Sequence, residues 1–191
     1  MNWFPQYHYI LASKSPRRKQ LLLSLGIDFE VKTKEVDETY PEKLSIEKIP
    51  VFLARKKAES FQGNLKEKEL LITADTIVCY ENEVLGKPAN KKEATKMLRM
   101  LSGNEHQVIS GVCLTSTDKQ STFYATSNVK FKQLTKNEIE YYISNFKPFD
   151  KAGAYGIQEW IGIIGITHIE GSFYNVMGLP IQKLYEEIQK F

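Results

Sequence analysis

Asp75 lies within Ile72-Thr73-Ala74-Asp75-Thr76-Ile77-Val78, a carboxylate set into an otherwise apolar, strand-like run. Burying an ionised carboxylate is costly unless a cation or hydrogen-bond donors compensate it. The residue therefore reads as a metal ligand, or as a base whose proton affinity is set by its surroundings. Glu35, Asp37 and Glu38 offer further hard oxygen donors of the kind magnesium takes, although a solvated surface has the same acidic composition.

Cationic groups are spread more widely. Ser13-Lys14-Ser15-Pro16-Arg17-Arg18 combines two hydroxyls, a helix start and two guanidinium groups. Backbone N–H groups at a helix N-terminus attract anions and arginine forks match phosphate oxygens, so the segment suits a triphosphate cradle. A capped helix with two solvated arginines has the same pattern. Lys87, between Gly86 and Pro88, and Lys57, in the basic run Arg55-Lys56-Lys57, are compact charges suited to phosphate, though Lys57 also fits an exposed helix face. In Gly153-Ala154-Tyr155-Gly156-Ile157-Gln158 the glycines permit close backbone approach, Tyr155 offers a ring that could stack on a base, and Gln158 offers an amide donor and acceptor. A glycine-bearing loop under a sheet would look alike.

These residues must be positioned by regular elements. A strand over Tyr7 to Ala12 leads into a helix with Ser15 as N-cap, Pro16 at its first position and Gly26 past its end. Phe29 to Thr33 reads as a strand and Val51 to Phe61 as a helix with Pro50 in its first turn. Leu70 to Tyr80 alternates as a strand, turns at Glu81-Asn82 and returns through Val84-Leu85. Asn90 and Glu93 open a helix that ends at Gly103. Gln107 to Thr115 and Thr122 to Lys132 form a hairpin around the polar run Ser116 to Ser121, and Thr135 with Glu138 opens a helix through Asn145. A glycine-rich stretch, Gly153 to Gly165, precedes a strand over Ile163 to Glu170, and Pro180 begins a terminal amphipathic helix. Interleaved strands and helices argue an α/β class, a mixed sheet flanked by helices.

With 191 residues, 42% of them hydrophobic, the chain suits a single domain spanning 1–191. A net charge of +3 is too small for a dedicated nucleic-acid binder, so any anion site is local. Cys79 and Cys113 sit in apolar runs and read as reduced, buried thiols. No leader pattern or membrane-length apolar run occurs, which points to the cytoplasm. The three histidines, His8, His106 and His168, lack zinc-site spacing, and neither a Walker loop nor a nucleophile elbow is present.

Seven blocks together closely resemble the Maf family of nucleotide pyrophosphatases: Leu11 to Arg18, Leu53 to Ala58, Ala74-Asp75-Thr76, Gly86-Lys87-Pro88, Met97 to Gly103, Asp150 to Gln158 and Val176 to Pro180. The resemblance implies a Maf/inosine-triphosphatase-like fold with a nucleotide cleft between two lobes. It implies hydrolysis of dTTP and UTP to the monophosphate and pyrophosphate, a divalent cation (magnesium or manganese), and a homodimer without stable nucleic-acid partners. By the same resemblance Ser13, Arg17, Arg18, Lys57 and Lys87 address the phosphates, Asp75 and Glu38 the metal and water, and Arg17, Thr76 and Gln158 the specificity of the dTTP/UTP subgroup. After Gln158, where many relatives continue with glycine, this chain has Glu159-Trp160, which could reshape the base pocket or face a partner subunit.

The implied mechanism is positioning plus electrostatic stabilisation. A carboxylate of pKa about 4 is a weak base at neutral pH, so Asp75 serves as base or as orienter of metal and water. The rivals are a house-cleaning enzyme for modified uridine triphosphates and a non-enzymatic nucleotide- or nucleic-acid-binding regulator of septum formation and cell division.

Overall fold

The computed structural model describes residues 3–191. Its seven strands form one mixed sheet in the order β2-β1-β3-β5-β6-β7, with β4 paired to β3. The strands are β1 (His8–Leu11), β2 (Phe29–Val31), β3 (Glu69–Tyr80), β4 (Glu83–Leu85), β5 (Glu105–Thr115), β6 (Gln120–Phe131) and β7 (Ile166–Glu170). The helices are α1 (Pro16–Ser24), α2 (Lys48–Glu59), α3 (Lys91–Leu101), α4 (Lys136–Phe146), α5 (Trp160–Gly165), α6 (Phe173–Met177) and α7 (Ile181–Lys190). No helix among the described residues is long and apolar enough to cross a membrane.

The chain divides into two compact units. The first contains residues 1–75, 110–125 and 178–191, the second residues 76–109 and 126–177. In the first unit β1 runs parallel to both β2 and β3, with Leu11 opposite Ile72. Ile10, Leu71, Ala54, Ala58, Phe61 and Cys113 form a buried core between sheet and α2. That helix lies close to β5, since a Cβ on Gly111 would stand 2.3 Å from the Pro50 carbonyl carbon. In the second unit α3 and α4 bury Leu98, Leu101, Ile139, Tyr142 and Ile143 with Val108, Val129 and Phe131 of the sheet. Truncating one such leucine to alanine costs ~2–5 kcal/mol.

Local signals fix most element starts. Ser15 accepts from the Arg18 N–H with Pro16 at N1, Asn90 accepts from the Glu93 N–H, and Thr135 with Glu138 makes a reciprocal capping box. Glu81 and Asn82 both take positive φ, the geometry of a tight hairpin whose twist matches its strands.

The glycine-rich stretch differs from expectation. Residues Trp160–Gly165 are helix, so β7 starts at Ile166 and not at Ile163. Two glycines make this a poor helix by propensity. Tertiary packing decides it, because a Cβ on Gly162 would fall 1.9 Å from the Ile157 carbonyl oxygen, so only glycine allows this approach.

Candidate active site

Strand and helix periodicities meet at Asp75. Thr73 and Asp75 share one face of β3, because side chains alternate along a strand. The buried Thr73 hydroxyl donates to the Ala54 carbonyl of α2 at 2.7 Å. Three residues further along α2, on the same helical face, Lys57 places its ammonium 2.6 Å from Asp75 Oδ1 and 2.8 Å from Glu38 Oε1. The Asp75 and Lys57 side chains are only 13% and 18% exposed. Two carboxylates thus share one ammonium.

The acidic run separates into three roles. Glu35 is almost fully exposed and meets Lys14 at 3.5 Å. Asp37 accepts from the Thr39 N–H and hydroxyl and from Lys56 at 3.1 Å. Only Glu38 joins Asp75. Lys56 also donates to the Thr39 carbonyl at 3.1 Å, so adjacent lysines of α2, about 100° apart around the helix, divide the work: Lys56 ties down the loop and Lys57 meets its carboxylate. In the sequence Lys56 is only one member of a basic run, and its adjacency to Lys57 is the available signal.

Parallel pairing of β1 with β3 carries the segment after β1 to Asp75. The Ala12 N–H donates to the Ile72 carbonyl at 2.9 Å. Arg18 then donates from Nη1 to the Ala74 carbonyl at 2.9 Å and from Nε to the Gly178 carbonyl at 2.8 Å, with Ser13 Oγ at 3.5 Å. Burial lowers the pKa of this guanidinium while Asp75 opposes the shift, and it stays charged. Ser13 accepts from the Ser15 N–H at 3.2 Å. Arg17, one residue earlier on α1, is partly buried.

In the second unit, Thr76 continues β3, and Lys87 is exposed just after β4. The Gly86 carbonyl accepts from the Gly153 N–H at 3.1 Å, joining the Lys87 turn to the Gly153–Gln158 loop. Gly153 needs its φ of +67°, and a Cβ there would stand 2.9 Å from Val78. Gln158 is exposed, but Tyr155 is buried. Its ring meets Phe131 and His106 edge-on, and its hydroxyl pairs with His106 Nε2 at 2.8 Å. The expected stacking ring therefore belongs to the core, where its apolar face is covered. Trp160 packs on Tyr141 of α4 with ring centroids 4.7 Å apart, an internal contact.

The family model for Maf-like proteins matches residues 8–191. The chain belongs to the Maf family. Among its curated relatives are a dTTP/UTP pyrophosphatase of Bacteroides fragilis, 54% identical over 97% of this chain and 96% of that protein, and one of Porphyromonas gingivalis, 50% identical over 97% and 95%. Among solved structures, a nucleoside-triphosphatase (dITP/XTP pyrophosphatase) from Mycobacterium abscessus aligns with a TM-score of 0.44 and 14% identity, covering 65% of this chain and 74% of that one.

Of the Maf-motif residues, the first unit gathers Asp75, Lys57, Glu38, Arg18 and Ser13, with Arg17 adjoining, while Thr76, Lys87 and Gln158 belong to the second. No group of three or more His, Cys, Asp or Glu among the described residues is arranged to hold a metal ion. Two convergent carboxylates nevertheless suit magnesium, which commonly takes one or two from the protein and the rest of its shell from water and substrate phosphates. In the structure the cation between these oxygens is the Lys57 ammonium.

Proposed function

We propose that this Maf-like chain hydrolyses dTTP and UTP to the nucleoside monophosphate and pyrophosphate. The carrying observation is the Lys57 bridge between Asp75 and Glu38 in a chain whose curated relatives, matched nearly end to end, are named for this activity. We read all of residues 1–191 as one functional module, supported by a family match that includes parts of both units.

In this reading Asp75 and Glu38 hold a divalent cation, magnesium or manganese, which when bound neutralises triphosphate charge and acidifies water. Lys57 fixes the Asp75 carboxylate through Oδ1, so that Asp75 orients the attacking water and takes up its proton. Attack at the α-phosphorus forms one P–O bond and breaks the α–β anhydride, and pyrophosphate departs. Ser13, Arg17 and Lys87 stabilise phosphate charge, a contribution worth most where it is preorganised. Arg18 holds the Ala74 carbonyl beside Asp75. Thr76, Arg17 and Gln158 serve specificity. The Gln158 amide donates to O4 and accepts from N3–H of uracil or thymine, whereas cytosine reverses both groups, leaving polar atoms unpaired at ~1–3 kcal/mol each.

Purified protein assayed for pyrophosphate release with UTP, dTTP, 5-methyl-UTP, pseudo-UTP and CTP, with magnesium and with EDTA, tests the reading. UTP and dTTP should be cleaved alike and at least about tenfold faster than CTP, EDTA should abolish turnover, and Gln158→Ala should erode the preference. Absence of pyrophosphate release from every triphosphate returns the protein to the class of non-enzymatic regulators. A cytoplasmic homodimer belongs to the same reading through the family resemblance, and light scattering of the purified chain checks the stoichiometry.

A further inference from the structure

Tyr142, Lys151 and Glu159 close a polar network around Gly156, two residues before Gln158. Tyr142, wholly buried on α4, accepts from the Gly156 N–H at 3.1 Å and donates to Glu159 Oε2. Lys151, 8% exposed, reaches Glu159 Oε1 at 3.1 Å and Asp150 Oδ1 at 2.7 Å. Each oxygen of the Glu159 carboxylate therefore has its own donor, one a phenol and the other an ammonium. Burial, then the hydrogen bond to Glu159, raises the pKa of the Tyr142 phenol, so it remains the donor at neutral pH.

Steric contacts close on the same backbone. A Cβ on Gly156 would stand 2.9 Å from Glu159 Cδ, and the Gly162 backbone of α5 lies against the Ile157 carbonyl. Gly156 and Ile157 are gripped by carboxylate and helix, while the next residue, Gln158, is exposed. Buried polar groups are costly unless fully partnered, and apolar residues of similar volume often fill such space at no loss of stability. A satisfied network, in contrast, holds a backbone in one conformation.

We propose that Glu159 is a positioning residue for pyrimidine selection: gripped by Tyr142 and Lys151, it fixes the backbone that aims the Gln158 amide. The inference rests on the reading of Gln158 as the group that recognises the pyrimidine edge. Glu159 touches neither substrate nor reacting atoms in this assignment. Its effect is therefore expected in KM and in selectivity more than in the chemical step.

The test is kcat and KM for UTP and CTP, with thermal stability, in the wild type, Gln158→Ala, Glu159→Ala, Glu159→Gln and Tyr142→Phe. Glu159→Ala should raise the KM for UTP and lower the UTP-to-CTP ratio of kcat/KM by roughly tenfold, with the CTP values little changed. Glu159→Gln should restore most of the ratio, because its amide oxygen still accepts from Lys151 and its volume still supports Gly156. A folded Glu159→Ala protein whose ratio stays within about twofold of wild type, while Gln158→Ala loses its preference, overturns the positioning role alone. An unchanged ratio in Gln158→Ala overturns that role together with the pyrimidine-reading assignment. If Glu159→Ala does not fold, Tyr142→Phe decides in its place: a lowered ratio upholds the role, and an unchanged one overturns it.

Discussion

The Lys57 ammonium lies 2.6 Å from Asp75 Oδ1, and both side chains are largely shielded from solvent. Asp75→Asn should reduce turnover by about three orders of magnitude or more, equivalent to ~4 kcal/mol of transition-state stabilisation, because asparagine keeps the shape and loses the charge. Lys57 still meets Glu38 at 2.8 Å, so no buried charge is orphaned and the melting temperature should hold. Near-normal activity in the folded variant would falsify the assignment.

Removing the shared cation has the opposite profile. Lys57→Ala takes away the ammonium that Asp75 and Glu38 share, and the partly shielded Asp75 carboxylate loses its 2.6 Å partner, so the melting temperature should fall. Added magnesium should raise the melting temperature of Lys57→Ala more than that of the wild type. Equal shifts in the two proteins would remove the carboxylate pair from consideration as the metal site.

Arg18 and Arg17, although adjacent, should separate stability from turnover. Arg18 donates to the Ala74 and Gly178 carbonyls, and hydrogen bonds from a charged group contribute ~1.5–3 kcal/mol each. Arg18→Met is expected to lose about 3 kcal/mol and, for a chain of this length, roughly 6–12 °C in melting temperature. Arg17→Ala should weaken kcat/KM with little change in thermal unfolding. Calorimetry and steady-state kinetics on the pair distinguish them, and matching melting temperatures would refute the division.

Lys87 is exposed beside the Gly86 carbonyl that accepts from Gly153. If its charge stabilises the departing pyrophosphate, Lys87→Ala should lower kcat/KM at least tenfold, or about 1.4 kcal/mol. A kcat/KM close to that of the wild type would remove Lys87 from the phosphate-binding residues.

His106 should make the second unit sensitive to acid. Burial pushes its imidazole down to about 4, against an ordinary value near 6.5. Between those two values the unfolded chain carries the proton and the folded chain does not, so stability falls as pH drops through this window. The contribution is absent above the unfolded value and reaches ~3 kcal/mol below the folded one. Urea unfolding from pH 7 to pH 4 should show this slope, and His106→Gln should flatten it. An equal slope in the variant would exclude His106 as its source.

Local chemistry was legible in the sequence. Ser15, Asn90 and Thr135 cap helices through bonds that close within three residues, and the β3 alternation and the amphipathic α7 need no distant partner. The motif blocks likewise identified the Maf family and the residues worth attention. Only the family resemblance singled out Glu38 over Asp37; local patterning could not, because that choice depends on which of two adjacent α2 lysines meets each carboxylate. Nor could local patterning show that Arg18 spans 160 positions to Gly178, that the Tyr155 ring is covered, or that α5 forms despite its glycines. Those outcomes depend on strand register and on backbone approaches such as Gly162 on Ile157, which bring together groups far apart in the chain and are therefore decided only by tertiary packing.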